Sequence, residues 1–165
     1  MIVLRNGHVI TMDPQLGELP ATDVLISGDR IQAIGPALPA EGATEIDIRG
    51  EVVLPGFATM AGPDTFRQLR AALRVERTGS ACAPAPGTRP VTEAATETLR
   101  TAGNGSISVG GRADLVTLGG LEHVMDVSRL AGAVVTSLGP DDVRTVMIGG
   151  RIVRGGLAPA ETIAA

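Results

Sequence analysis

The sequence contains no lysine; all 14 of its basic residues are arginine. No side chain can therefore form a Schiff base, act as a lysine base or carry a carbamylated metal bridge. Trp and Tyr are also missing, which leaves Phe57 and Phe66 as the aromatic side chains. A net charge of −4 adds no basic surplus. Nucleic-acid binders rely on basic surfaces and aromatic platforms, so nucleic acid is not an expected partner. Cys82 stands alone and excludes an internal disulfide. No apolar run reaches the roughly 18 residues that a membrane helix needs, so no membrane association is expected. Met1 leads directly into Ile2-Val3-Leu4-Arg5, without a signal-peptide layout, and a cytoplasmic location is the expectation.

What remains is a globular composition, 44% hydrophobic. Four segments share one template of apolar residues, a turn glycine and more apolar residues. They are VLRNGHVI (3–10), VLISGDRIQAI (24–34), IDIRGEVV (46–53) and VMIGGRIV (146–153). Asn6-Gly7, Gly28-Asp29 and Gly149-Gly150 suit tight hairpin turns, and the Val, Ile and Leu flanks suit half-buried strands. ADLVTL (113–118) reads as a fifth strand and AVVTS (133–137) as a weaker sixth.

The middle of the chain is different. Residues 63–77, PDTFRQLRAALRVER, open with Pro63 and Asp64 and place Phe66, Leu69 and Leu73 on one helical stripe. Residues 92–103, TEAATETLRTAG, form a second helical pattern, with Thr92 as the expected N-cap and Gly103 as the stop. The stretch between them, TGSACAPAPGTRP (78–90), reads as a loop with polyproline character. The pattern predicts a mainly β fold of the α+β class. Both chain ends, 1–57 and 105–156, read as β, around a helical insert at 58–104. A single domain spans 1–156, and 157–165 form a frayed tail.

These segments, taken in order, resemble the amidohydrolase superfamily, in its cytosine-deaminase and chlorohydrolase-like branch. The similarity rests on LRNGHVITMD, DVLISGDRIQAIG and EIDIRGEVVLPGF at one end. At the other it rests on GSISVGGRADLVTL and VRTVMIGGRIVRGG. The resemblance implies that the two ends, 1–57 and 105–156, pair in one small β-sandwich beside a metal-bearing barrel, with the helices at 63–77 and 92–103 here in place of that barrel. It also implies a metal-binding Asp-x-His-x-His after Leu54-Pro55-Gly56-Phe57, where this chain has Ala58-Thr59-Met60-Ala61-Gly62. A (β/α)₈ barrel takes about 200–250 residues, and only residues 58–111 separate the two β portions. The barrel is absent from this stretch.

No metal site and no cofactor are therefore expected. His8, His123 and Cys82 fall in different segments, and tetrahedral zinc needs three or four ligands together. His8 also reads as a surface strand residue, and His123, with Glu122 and Asp126, as a solvated turn. Arg67, Arg70, Arg74 and Arg77 share one helical face, which is either a solvated row or a set of guanidiniums for an acidic group. Cys82 has no neighbouring histidine to activate it. Asp141-Asp142, after Gly139-Pro140, is explained by a turn.

Three functions stay open on these residues. One is a metal-free protein that binds an apolar or acidic small molecule and assists a cyclisation or isomerisation. Asp64, Glu76 and His8 are its candidate catalytic groups, and Met60, Phe66, Arg67, Arg70 and Arg74 its candidate ligand contacts. The second is an accessory or scaffold that pairs with a full-length relative. The third is a remnant without a present role. A homodimer is expected, because loss of a barrel bares apolar surface.

Overall fold

The computed structural model describes residues 1–57, 65–78, 91–102, 105–121, 124 and 130–155, without the side chains of 76–78, 91–93 and 102. Eight strands form one mixed sheet: β1 (Ile2–Ile10), β2 (Glu18–Ser27), β3 (Arg30–Gly35), β4 (Thr44–Asp47), β5 (Val52–Pro55), β6 (Leu115–Leu118), β7 (Val143–Ile148) and β8 (Arg151–Arg154). Three helices accompany it: α1 (Thr65–Thr78), α2 (Val91–Ala102) and α3 (Leu130–Ser137). The sheet order is β3-β2-β1-β5-β6-β7-β8, with β4 beside the first half of β1. The mainly β, α+β expectation holds, with three helices in place of two. Among the described residues, no helix is long and apolar enough to cross a membrane.

The two chain ends meet at β5 and β6. These strands pair antiparallel, Val52 opposite Leu118 and Leu54 opposite Val116. Their side chains alternate as period two requires. Val52, Leu54, Val116 and Leu118 join one core with Phe66, Leu69 and Leu73 of α1, Ala95 and Leu99 of α2, and Val134 and Val135 of α3. Val53 and Leu115 point the other way. They enter a second core with Leu4, Val9, Val24, Ile26, Ile31, Ile46 and Met147, enclosed by the curl of the sheet itself. The two hairpins β2–β3 and β7–β8 close this second core. The Ile31 N–H donates to the Gly111 carbonyl (2.9 Å), and the Gly150 N–H to the Ala113 carbonyl (3.0 Å). Gly150, at φ +72°, passes so close to the Gly28 carbonyl oxygen that no Cβ could fit. One glycine of the Gly149-Gly150 pair thus serves this close approach as well as the turn.

Three segments differ from the sequence reading. Residues 3–10 are one continuous strand, not a hairpin. Asn6 takes positive φ (61°), but the chain does not reverse there, and residues on both sides of the Asn6-Gly7 pair stay in the ladder with β2. The pair instead makes an irregularity in the β1–β2 register. Beyond it β1 changes neighbour, from β4 at Ile2–Arg5 to β5 at His8 and Val9. Residues 46–53 are likewise no hairpin, since β4 and β5 both run parallel to β1. AVVTS lies in a helix. Leu130, Ala131, Val134, Val135 and Leu138 are all buried, and their helical spacing against the sheet outweighs the β preference of the valines. α2 starts at Val91, which puts Thr92 inside its first turn. The expected turn at 139–142 is present as a 3₁₀ turn over Pro140–Asp142, with Asp142 Oδ2 accepting the Gly139 N–H (2.8 Å).

A polar clasp fixes the bend in β1. Arg5 Nη1 donates to Asp23 Oδ2 (2.7 Å) and to the Leu38 carbonyl (2.6 Å), and Arg5 Nε donates to Glu45 Oε2 (3.0 Å). Asp23 also accepts the N–H groups of Asn6 and Leu38, both at 3.0 Å. Burial pushes the Asp23 carboxyl up, but Asn6, Arg5 and Leu38 together hold it below the usual Asp value. A depressed folded pKa stabilises the fold fully above the unfolded value of about 3.9, and that contribution is lost as pH falls through the folded value. Asp23→Asn should therefore lower stability at neutral pH by about 2 kcal/mol. It should also flatten the acid limb of the stability profile between about pH 5 and pH 2. Urea unfolding followed by circular dichroism across that range checks both, and a variant with the parent's acid limb would refute the assignment.

Candidate functional site

The second half of β1 carries the chemistry. Beyond the Asn6-Gly7 irregularity, His8 pairs with Val52 of β5, and Ile10 pairs with Glu18 at the start of β2. Val52 and Ile10 both belong to the helix-covered core. Paired residues share a face of the sheet, so His8 and Glu18 are set on that same face. His8 Nε2 stands 3.5 Å from Glu18 Oε2. Both atoms are closed off from solvent, and among the described residues neither has a hydrogen-bond partner. Glu51, whose carbonyl accepts the His8 N–H (2.9 Å), likewise has its Oε2 buried without a hydrogen-bond partner among the described residues. Orphaned polar atoms of this kind are uncommon in native folds and ask for a reason.

Two cavities flank the pair. The first, about 220 Å³, lies between the β1–β2 connection and α2. Ile10, Met12 and Pro14 give it apolar walls, and Asp13, Glu18, Thr96 and Arg100 its polar groups. The second, about 210 Å³, includes Asn6, His8, Ala21, Glu51, Leu121 and Leu130 in its lining. Asn6 (φ 61°), Met12 (φ 58°) and Ala21 (φ 45°) all adopt left-handed backbone and all line one cavity or the other. Non-glycine residues held there store strain, and such strain collects at binding sites.

The residues singled out in the sequence divide into groups. His8 lies in the second cavity and against Glu18. Phe66 is buried in the core between helices and sheet. Arg70 Nη1 donates to the Leu138 carbonyl (3.1 Å), which ties α1 to the end of α3. Arg67 and Arg74 are exposed on α1. None of these α1 residues lines either cavity. Met60, Asp64, Cys82 and His123 fall outside the described residues, as does the side chain of Glu76. Glu18, Glu51, Met12, Thr96 and Arg100 were not visible as site residues, because they share no motif. The alternation His8-x-Ile10-x-Met12 was the one available hint.

A hydrolytic metal does not fit what is described. Among the described residues, no group of three or more His, Cys, Asp or Glu side chains comes together. His8 and Glu18 supply two donors, and zinc takes three or four protein ligands.

No protein-family model matches the chain. Individual relatives do, over part of it. A 5'-deoxyadenosine deaminase of Methanococcoides burtonii is 41% identical over 69 residues, covering 40% of this chain and 16% of its own length. A dihydroorotase of Lactobacillus leichmannii is 51% identical over 56 residues, covering 34% of this chain and 12% of its own. Over these stretches, about a third to two fifths of its length, the chain is similar to amidohydrolases. Among solved structures, the zinc complex of atrazine chlorohydrolase TrzN from Arthrobacter aurescens TC1 is 32% identical, with a TM-score of 0.33 over 48% of this chain and 21% of that one. The chain thus spans a minor part of the amidohydrolases that it matches.

Elemental analysis of the purified protein should find zinc, iron and manganese well below one equivalent. One equivalent of any of them, retained through gel filtration, would contradict the ligand accounting.

Proposed function

We propose that this amidohydrolase relative binds a compact amphiphilic small molecule without hydrolytic metal chemistry. The observation that carries the reading is the apolar cavity between the β1–β2 connection and α2. Its volume exceeds the roughly 150 Å³ of an apolar cavity that accepts benzene, and falls short of the usual 300–1,000 Å³ of drug-sized sites. The ligand that suits it is one ring, or a short chain, with a single polar head. An isomerisation or cyclisation at this site would draw on Glu18, which lines the cavity, for proton transfer, and on His8, 3.5 Å from its Oε2, to orient it.

Single-ring neutral compounds such as benzyl alcohol and indole test the reading. At ten times the dissociation constant, binding to the folded state adds about 1.4 kcal/mol, a rise of a few degrees in melting temperature. Thr96→Phe, which fills the cavity from α2, should abolish the rise. The absence of Trp and Tyr lets ligand fluorescence be read without protein background. If no compound raises the melting temperature and none moves the resonances of Ile10 or Met12, the site is refuted.

One observation favours a second reading, an interaction protein. Ile148 and Val153 are 54% and 58% exposed, on the last two strands of the sheet. They lie beside Arg144, Arg151 and Arg154, which are exposed too. A second copy or a larger relative could cover this edge. On this reading the protein sediments as a dimer that Ile148→Glu converts to monomers; a parent that is monomeric at high micromolar concentration, and binds no larger relative, would exclude it.

A further inference from the structure

The charges around the apolar cavity are unequal, and that inequality names a ligand class. Asp13, Glu18 and Arg100 are the charged residues that line it. Arg100 is already matched, since its Nε donates to Glu97 Oε2 (2.8 Å) and its Nη2 to Glu97 Oε1 (2.5 Å). A guanidinium held by two bonds to one carboxylate has little left for an incoming anion. Asp13 is in the opposite position. Its Oδ1 accepts the N–H groups of Gln15 (2.8 Å) and Leu16 (3.4 Å), which fixes the carboxylate in a turn, and among the described residues no cation pairs with it. Glu18 adds a second carboxylate to the lining, its buried Oε2 turned toward His8, 3.5 Å away.

The frame that holds these groups is built in advance. Thr11 donates its N–H (3.1 Å) and its hydroxyl (2.6 Å) to the Gly17 carbonyl, closing the connection on itself. Thr11 in turn accepts the Ile107 N–H at its carbonyl (2.8 Å), which ties the connection to the other end of the chain. Met12 is kept in left-handed backbone between these anchors. A site that is ordered before binding loses less freedom on binding.

We propose that this cavity selects a small organic cation, a single ring or short aliphatic chain bearing a protonated amine. The apolar part enters between Ile10, Met12 and Pro14, and the ammonium meets the Asp13 and Glu18 carboxylates. This rests on the small-molecule reading above and adds the sign of the charge.

Benzylamine, benzyl alcohol and benzoate share a ring and differ in the head. Each is titrated into the full chain by NMR, with the resonances of Ile10, Met12 and Thr96 as reporters. Benzylamine should bind about tenfold tighter than benzyl alcohol, as one charge-assisted contact provides, and benzoate weakest. Added salt should narrow the gap. Asp13→Asn retains an Oδ1 acceptor for Gln15 and Leu16 and should erase most of the preference. Benzoate equal to or tighter than benzylamine, or amine and alcohol alike, would overturn the charge selection and leave the small-molecule reading standing. No perturbation of the three reporters by any compound would overturn both.

Discussion

The rest of the structure depends on one short antiparallel ladder, Val52–Pro55 against Leu115–Leu118. It is where the first and last parts of the chain become one sheet. All eight of its residues are buried, and they alternate between two cores, one under the helices and one inside the curl of the sheet. Each fully buried Val or Leu contributes about 1.5–3 kcal/mol relative to exposure. The ladder therefore draws on both cores at once, and loss of its register would turn every side chain toward the wrong one.

The helical layer follows from that constraint. A sheet whose strands are apolar on both faces must be covered on both. The curl of the sheet covers one face, and α1, α2 and α3 cover the other. At the margin of that cover, where α2 meets the β1–β2 connection, the packing is incomplete and the apolar cavity opens. The site is thus a product of how the described helices fill the space on the sheet. This is also why it shares no position with the histidine motif that its relatives' resemblance leads one to look for after Phe57.

Legibility followed the range of the interactions involved. The hairpins at Gly28-Asp29 and Gly149-Gly150 were readable because a turn is set by a few adjacent residues. So was α1, through the spacing of Phe66, Leu69 and Leu73. Asn6-Gly7 misled because the same dipeptide serves a turn or an irregularity, and the neighbours of β1 decide which. Residues 133–137 misled because their valines fit a strand locally, while the burial that makes them helical comes from α1, α2 and the sheet. His8 was noticed as a titratable group, but its partner Glu18 was not. The two meet only through the β1–β2 register, set by the whole strand rather than by any local motif.

The sequence by itself determined the chemistry that is out of reach and the β character of the two ends. Missing residue types exclude roles however the chain folds, and apolar alternation marks strands through local geometry alone. Only the tertiary structure decided which groups meet: His8 with Glu18, Arg5 with Asp23 and Glu45, Ile10 with Thr96 across a cavity. Those contacts join residues far apart in the chain, and their distances depend on strand register and helix packing, which are settled by the burial of the whole core.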